Sequence, residues 1–176
     1  MKKIISMVAL LMFSMGSFGC DEECRKQAAA VKHNVKFASY LSSQYCDDIK
    51  SEFMTISIRS LQNYRDTRLN DKRSYGMKNT KNFINQRVDW LQECDQYLSL
   101  TDDRHVFHEE KTTNTIFAAM GSVSRELNAL MNGASYAMES DVDAKTIIAE
   151  KFDHLFQLVD NHKTLMQLRG QVASRR

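Results

Sequence analysis

Not one proline interrupts the 176 residues of this chain, and glycines number only six. Proline in a helix interior removes a hydrogen bond and clashes with the preceding turn. Glycine there costs about 1 kcal/mol relative to alanine. A chain almost free of both is suited to long helices and poorly suited to an all-β fold, which needs a turn every few residues.

The apolar pattern agrees. Val31, Val35, Ala38, Leu41, Tyr45, Ile49, Phe53 and Ile56 step by three or four, and Leu61 and Tyr64 continue the row. The spacing predicts one helix from about Glu22 to Arg65, or two broken near Cys46, with Thr55-Ile56-Ser57-Ile58 a weak point because β-branched residues lose side-chain freedom in a helix. Asp66 to Gly76 is polar, with Asn70-Asp71 and Ser74-Tyr75-Gly76 as turn chemistry. A second helix is carried by Phe83, Ile84, Val88, Leu91, Cys94 and Leu98, up to a loop at Thr101-Asp102-Asp103. A third shows Thr113, Ile116, Met120, Val123, Leu127 and Leu130, closed by Asn132-Gly133. A fourth begins near Ser140 or Asp141 and is lined by Ala144, Ile148, Phe152, Leu155, Val159, His162 and Met166, fading at Gly170. The expected fold is all-α: an up-and-down bundle of about four long helices.

Residues 1–19 read as a signal peptide. Lys2 and Lys3 precede an apolar run from Ile4 to Phe13, and small residues follow, with Ser17 and Gly19 placed for a cut before Cys20. A lipoprotein signal would cut at the same bond and place lipid on Cys20. Ser17-Phe18-Gly19-Cys20 resembles such a signal in its Gly-Cys pair and departs from it at Ser17 and Phe18. The expected organisation is a signal at 1–19, one bundle domain at 20–170 and a loose tail at 171–176. Losing Lys2 and Lys3 lowers the 24 basic residues to 22, against 22 acidic. A formally neutral mature chain has no overall pull toward nucleic acid, which is excluded as a partner. The membrane enters only through a lipid on Cys20.

Cys20, Cys24, Cys46 and Cys94 all lie beyond the cut. In an oxidising compartment four cysteines suggest two disulfides. The expected bridges run from the N-terminal pair to Cys46 and Cys94, stapling the first helix to the rest. Lipid on Cys20 would instead leave an odd thiol. Paired C-x-x-C knuckles for zinc and the C-x-x-C-H of c-type haem are both absent.

Little in the chain points to catalysis. There is no G-x-S-x-G, P-loop or G-x-G-x-x-G, and the Glu-x-x-His pairs of di-iron bundles are missing. Asp89 and Glu93 form an i, i+4 acidic pair, which suits a solvated helix face better than acid–base chemistry. His105, His108 and Glu109 are weak candidates for a metal, and His162, on the apolar stripe of the last helix, could face Met120 or Met54 across a haem. Trp90, one turn before Cys94, reads as a ring over a disulfide or as an anchor for a partner. Arg65, Arg68, Lys72 and Arg73 make the segment from Tyr64 to Lys81 basic. From Asp89 to Glu110, seven carboxylates face Arg104 alone. Opposed charge patches favour oriented protein binding. The expected function is that of an exported, periplasmic or envelope, helical interaction protein. It would be non-enzymatic, need no cofactor, and bind another protein or an envelope component as adaptor, inhibitor or accessory subunit. A metal- or haem-binding bundle using His105 and His108, or His162, is the alternative.

Overall fold

The computed structural model describes residues 20–67, 74–102, 104–107, 110–131 and 141–174, and every regular element among them is a helix. The chain divides into two compact units, residues 1–38 and Ser39–Arg176.

That first unit carries α1 (Glu22–His33). Asp21 caps it, its Oδ1 accepting the Cys24 N–H at 2.8 Å, and Glu22 and Glu23 in the first turn with Lys32 and His33 in the last complement the helix dipole. The helix stops at Asn34, in the left-handed region at φ 51°, whose N–H returns to the Ala30 and Val31 carbonyls. The break that periodicity placed near Cys46 therefore falls at Asn34. Val31, counted in the expected stripe, is 84% exposed.

The second unit is the bundle. Ser42 caps α2 (Ser43–Glu52) by accepting the Tyr45 N–H at 3.1 Å. The helix then widens into a π-helical segment, Phe53–Ser57, before resuming as α3 (Ile58–Thr67). Thus the weak point at Thr55–Ile58 distorts the helix and does not end it. Thr55 Oγ1 bonds back to the Ser51 carbonyl at 2.7 Å, a local competitor for the regular ladder. The widened turn also shifts the phase of the stripe. Ile56, expected inside, is 62% exposed, while Ser57 is fully buried and Ile58, Leu61 and Tyr64 face inward.

Three long helices follow: α4 (Ser74–Thr101), α5 (Glu110–Met131) and α6 (Asp141–Ala173). Ser74 to Gly76, expected as a turn, opens α4. One glycine costs a 28-residue helix about 1 kcal/mol, which packing of its buried face outweighs. Likewise α6 runs through Gly170, so the tail expected from residue 171 is helical to Ala173. Packing closes a ring: α4 lies on α5, α5 on α6, α3 on α6 and α2 on α4. The expected all-α, disulfide-stapled bundle is the observed one.

Ile84, Leu91 and Tyr97 of α4, Ile116, Met120 and Leu127 of α5, and Ile148, Phe152 and Leu155 of α6 are almost wholly removed from water. Each contributes about 1.5–3 kcal/mol of burial. Polar pins fix the α4–α5 register: Ser124 Oγ donates to Asn85 at 2.7 Å, and Lys81 Nζ to Asn128 at 2.7 Å. The connection between those helices is also part of the core. Val106 and Phe107 are buried, and the Phe107 ring meets Phe53, Phe117 and His162 edge-on at 6.1, 6.0 and 5.2 Å. Asp95 holds this plug by accepting the Val106 N–H at 2.9 Å.

Candidate functional site

The π segment sets up a polar cluster that links α2 to α4. It turns Ser57 inward, where its hydroxyl donates to the Glu52 carboxylate at 2.8 Å. Arg87, from the middle of α4, reaches the same pair: Nη2 lies 3.4 Å from Glu52 Oε1 and Nε donates to Ser57 Oγ at 3.3 Å. The guanidinium lies 3.7 Å from the centre of the Phe83 ring and 4.9 Å from that of Trp90. Phe83, Arg87 and Trp90 are spaced by four and three, so one helix face presents them together. The cation meets its counter-ion on one side and two aromatic faces on the other.

The outcome is an outer face of α4 with its charge largely satisfied from within. Phe83 and Trp90 stay half-buried, and Asn79, Asn82, Gln86 and Asp89 beside them are exposed. A cleft of about 240 Å³ opens between α3 and α4, walled by Ser60, Asn63, Tyr64 and Thr80, and it shares Asn79 and Phe83 with the shallower surface running to Trp90. Such a face offers flat apolar rings ringed by amides. It can bind a partner surface.

A second cluster surrounds the Cys46–Cys94 disulfide, whose Cα atoms are 5.3 Å apart and whose residues are buried. Tyr40 donates its hydroxyl to both oxygens of Glu93, at 3.0 and 2.9 Å, and its ring lies 5.2 Å from that of Tyr45. The hydrogen bond to Glu93 holds the Tyr40 phenol above its ordinary value of 10.0. Burial, followed by the Glu93 charge, raises Tyr45. Glu93 is thus engaged by Tyr40, while Asp89 lies on the Trp90 face. The two carboxylates serve different surroundings.

The remaining sequence candidates separate. Cys20 pairs with Cys24 and Cys46 with Cys94, so the bridges expected between the N-terminal cysteines and the later ones are corrected. Cys20 and Cys24 sit across the first turn of α1 with Cα atoms 5.4 Å apart, and each finds its nearest partner in the other. Arg65 is held by Asp66 at 2.7 Å and by Asp153, which turns it from a free cation into a tie between α3 and α6. Arg68, Lys72, Arg73, His108 and Glu109 lie outside the described residues. His105 faces Asp95 at 3.4 Å, and His162 is buried with its ring edge-on to Phe107. Among the described residues no group of three or more His, Cys, Asp or Glu side chains is gathered as a metal site.

The Glu52–Ser57–Arg87 cluster escaped the sequence reading. Glu52 and Ser57 are five apart, a spacing that shares a face only where a π turn adds a residue. The one signal was the β-branched run that marks the turn.

Fold and sites together define a disulfide-stapled all-α bundle with an aromatic and amide-rich outer helix face. Comparison of the chain with protein families, with curated proteins and with solved structures finds no match.

Proposed function

We propose that the chain is an exported helical interaction protein, non-enzymatic, that binds another protein or an envelope component through the outer face of α4 as adaptor, inhibitor or accessory subunit. The observation carrying this reading is Arg87. Its charge is answered by Glu52 on the inner side, and its guanidinium lies over the half-buried rings of Phe83 and Trp90. Rings ordered before a partner arrives lose little side-chain freedom on binding, and aromatic anchors dominate binding energy at interfaces.

Export is supported by the layout of residues 1–19 and by the two disulfides, which persist in oxidising compartments. No described helix is long and apolar enough to cross a membrane. On this reading the mature chain begins at Cys20, whose sulfur is engaged by Cys24.

Fractionation of producing cells with intact-mass analysis tests the export half. The expected result is a chain lacking residues 1–19 outside the cytosol. A full-length cytosolic chain would overturn it. Metal analysis and an absorbance spectrum of the purified protein test the rest: stoichiometric metal or a Soret band would replace the interaction reading with a metal or haem bundle on His105 and His108, or His162.

A further inference from the structure

The two disulfides occupy opposite environments. Cys46 and Cys94 are 1% and 0% exposed and join α2 to α4 across 48 residues. Cys20 and Cys24 are both exposed and span four residues at the start of α1. A thiolate can reach a sulfur only along an open line of approach, so a buried bridge exchanges only after its helices part. Each bridge also lies within one compact unit: Cys20 and Cys24 in residues 1–38, Cys46 and Cys94 in Ser39–Arg176. Opening the first therefore cuts no covalent tie in the bundle. Nor does it remove the cap of α1, because that cap is the Asp21 carboxylate on the Cys24 N–H.

We infer that Cys20–Cys24 is a thiol-exchange site, and that Cys46–Cys94 alone is the structural staple. The co-reactant is a thiol, free or on a partner protein. Its thiolate attacks one of the two sulfurs, the Cys20–Cys24 bond breaks, and a mixed disulfide forms. The other cysteine leaves as a thiolate and takes up a proton. The incoming sulfur is oxidised to the disulfide level and one protein cysteine is reduced. The freed cysteine, one helical turn away, can attack the mixed disulfide and restore the original bridge, so capture is reversible. This inference is independent of the α4 face, and neither depends on the other.

The experiment uses the purified, oxidised protein under native conditions. It is exposed to graded β-mercaptoethanol, quenched with N-ethylmaleimide and mapped by mass spectrometry. Label and mercaptoethanol adducts are expected on Cys20 and Cys24 at least about tenfold faster than on Cys46 and Cys94. The helical circular dichroism should stay unchanged while only the first pair has reacted. In urea the two pairs should converge, because unfolding exposes the buried bridge. Equal rates under native conditions, earlier reaction of Cys46–Cys94, or no reaction at Cys20 and Cys24 would overturn the inference. So would a lipid thioether on Cys20, which consumes the same sulfur.

Discussion

The Arg87 guanidinium lies 3.7 Å from the centre of the Phe83 ring while its Nη2 sits 3.4 Å from Glu52 Oε1. Arginine can serve both sides because its charge is planar and delocalised: one edge takes a carboxylate and a hydroxyl while the face lies on a ring. The pair is mostly shielded, with Arg87 15% and Glu52 27% exposed. Arg87→Ala should cost about 2 kcal/mol in urea unfolding, since it leaves a carboxylate half-buried with Ser57 as its remaining donor. Arg87→Lys should recover little, because an ammonium cannot stack on Phe83 while reaching Glu52. A loss under about 0.5 kcal/mol, the range of neutral surface changes, would contradict this account of the cluster.

The loop plug makes a second contrast. Phe107→Ala should destabilise the bundle by about 3–5 kcal/mol through the cavity it leaves among Phe53, Phe117 and His162. His105→Ala, two residues away with its ring 34% exposed, should cost under about 1 kcal/mol. Thermal unfolding of the two variants side by side checks the ranking, and equal losses would mean that the loop is not part of the core.

Those two clusters also mark what could be seen in the sequence. The steps from Thr113 to Leu127 and from Ile148 to Val159 follow the buried faces of α5 and α6, because a regular helix keeps its phase from end to end. Phase was lost where the helix did not stay regular. Ile56 looked like a core residue, yet the π turn carried it outward and brought Ser57 in. Val31 continued the stripe only on paper, since Asn34 ends α1 three residues later. Phe107 sat in a segment read for its histidines, and a loop residue has no periodicity to betray its burial. The pairing of cysteines was open for a related reason: spacing shows which sulfurs share a helix face, and only the fold shows which helices meet.

The two bridges should differ in their worth to stability. Closing the 48-residue separation of Cys46–Cys94 limits the unfolded chain by about 4 kcal/mol, and the four-residue separation of Cys20–Cys24 by about 2 kcal/mol, both upper values on chain entropy. The double variant Cys46→Ser with Cys94→Ser should therefore lose more in denaturant unfolding than the variant Cys20→Ser with Cys24→Ser. The reverse order would contradict the assignment of the buried bridge as the staple.

Tyr40 gives a pH signature. Its phenol is raised above 10.0 mainly by the hydrogen bond to Glu93, so the folded chain keeps this proton after the unfolded chain has released it. The bond's contribution is complete below pH 10.0 and is lost as pH climbs through the raised value. Ultraviolet titration should show the tyrosinates of Tyr40 and Tyr45 appearing late, and Glu93→Gln should bring the Tyr40 component back toward the ordinary range. An unchanged titration in Glu93→Gln would mean that the contact is absent in solution.

The claim that the outer face of α4 binds a partner is tested most directly by site-specific photocrosslinking in intact producing cells. The probe is placed at Gln86, on that face, and separately at Gln157, exposed on α6. The account predicts one discrete adduct from Gln86, none from Gln157, and loss of the Gln86 adduct when Trp90→Ala is added to a chain that remains folded by circular dichroism. No adduct from Gln86, or one that survives Trp90→Ala undiminished, would contradict it.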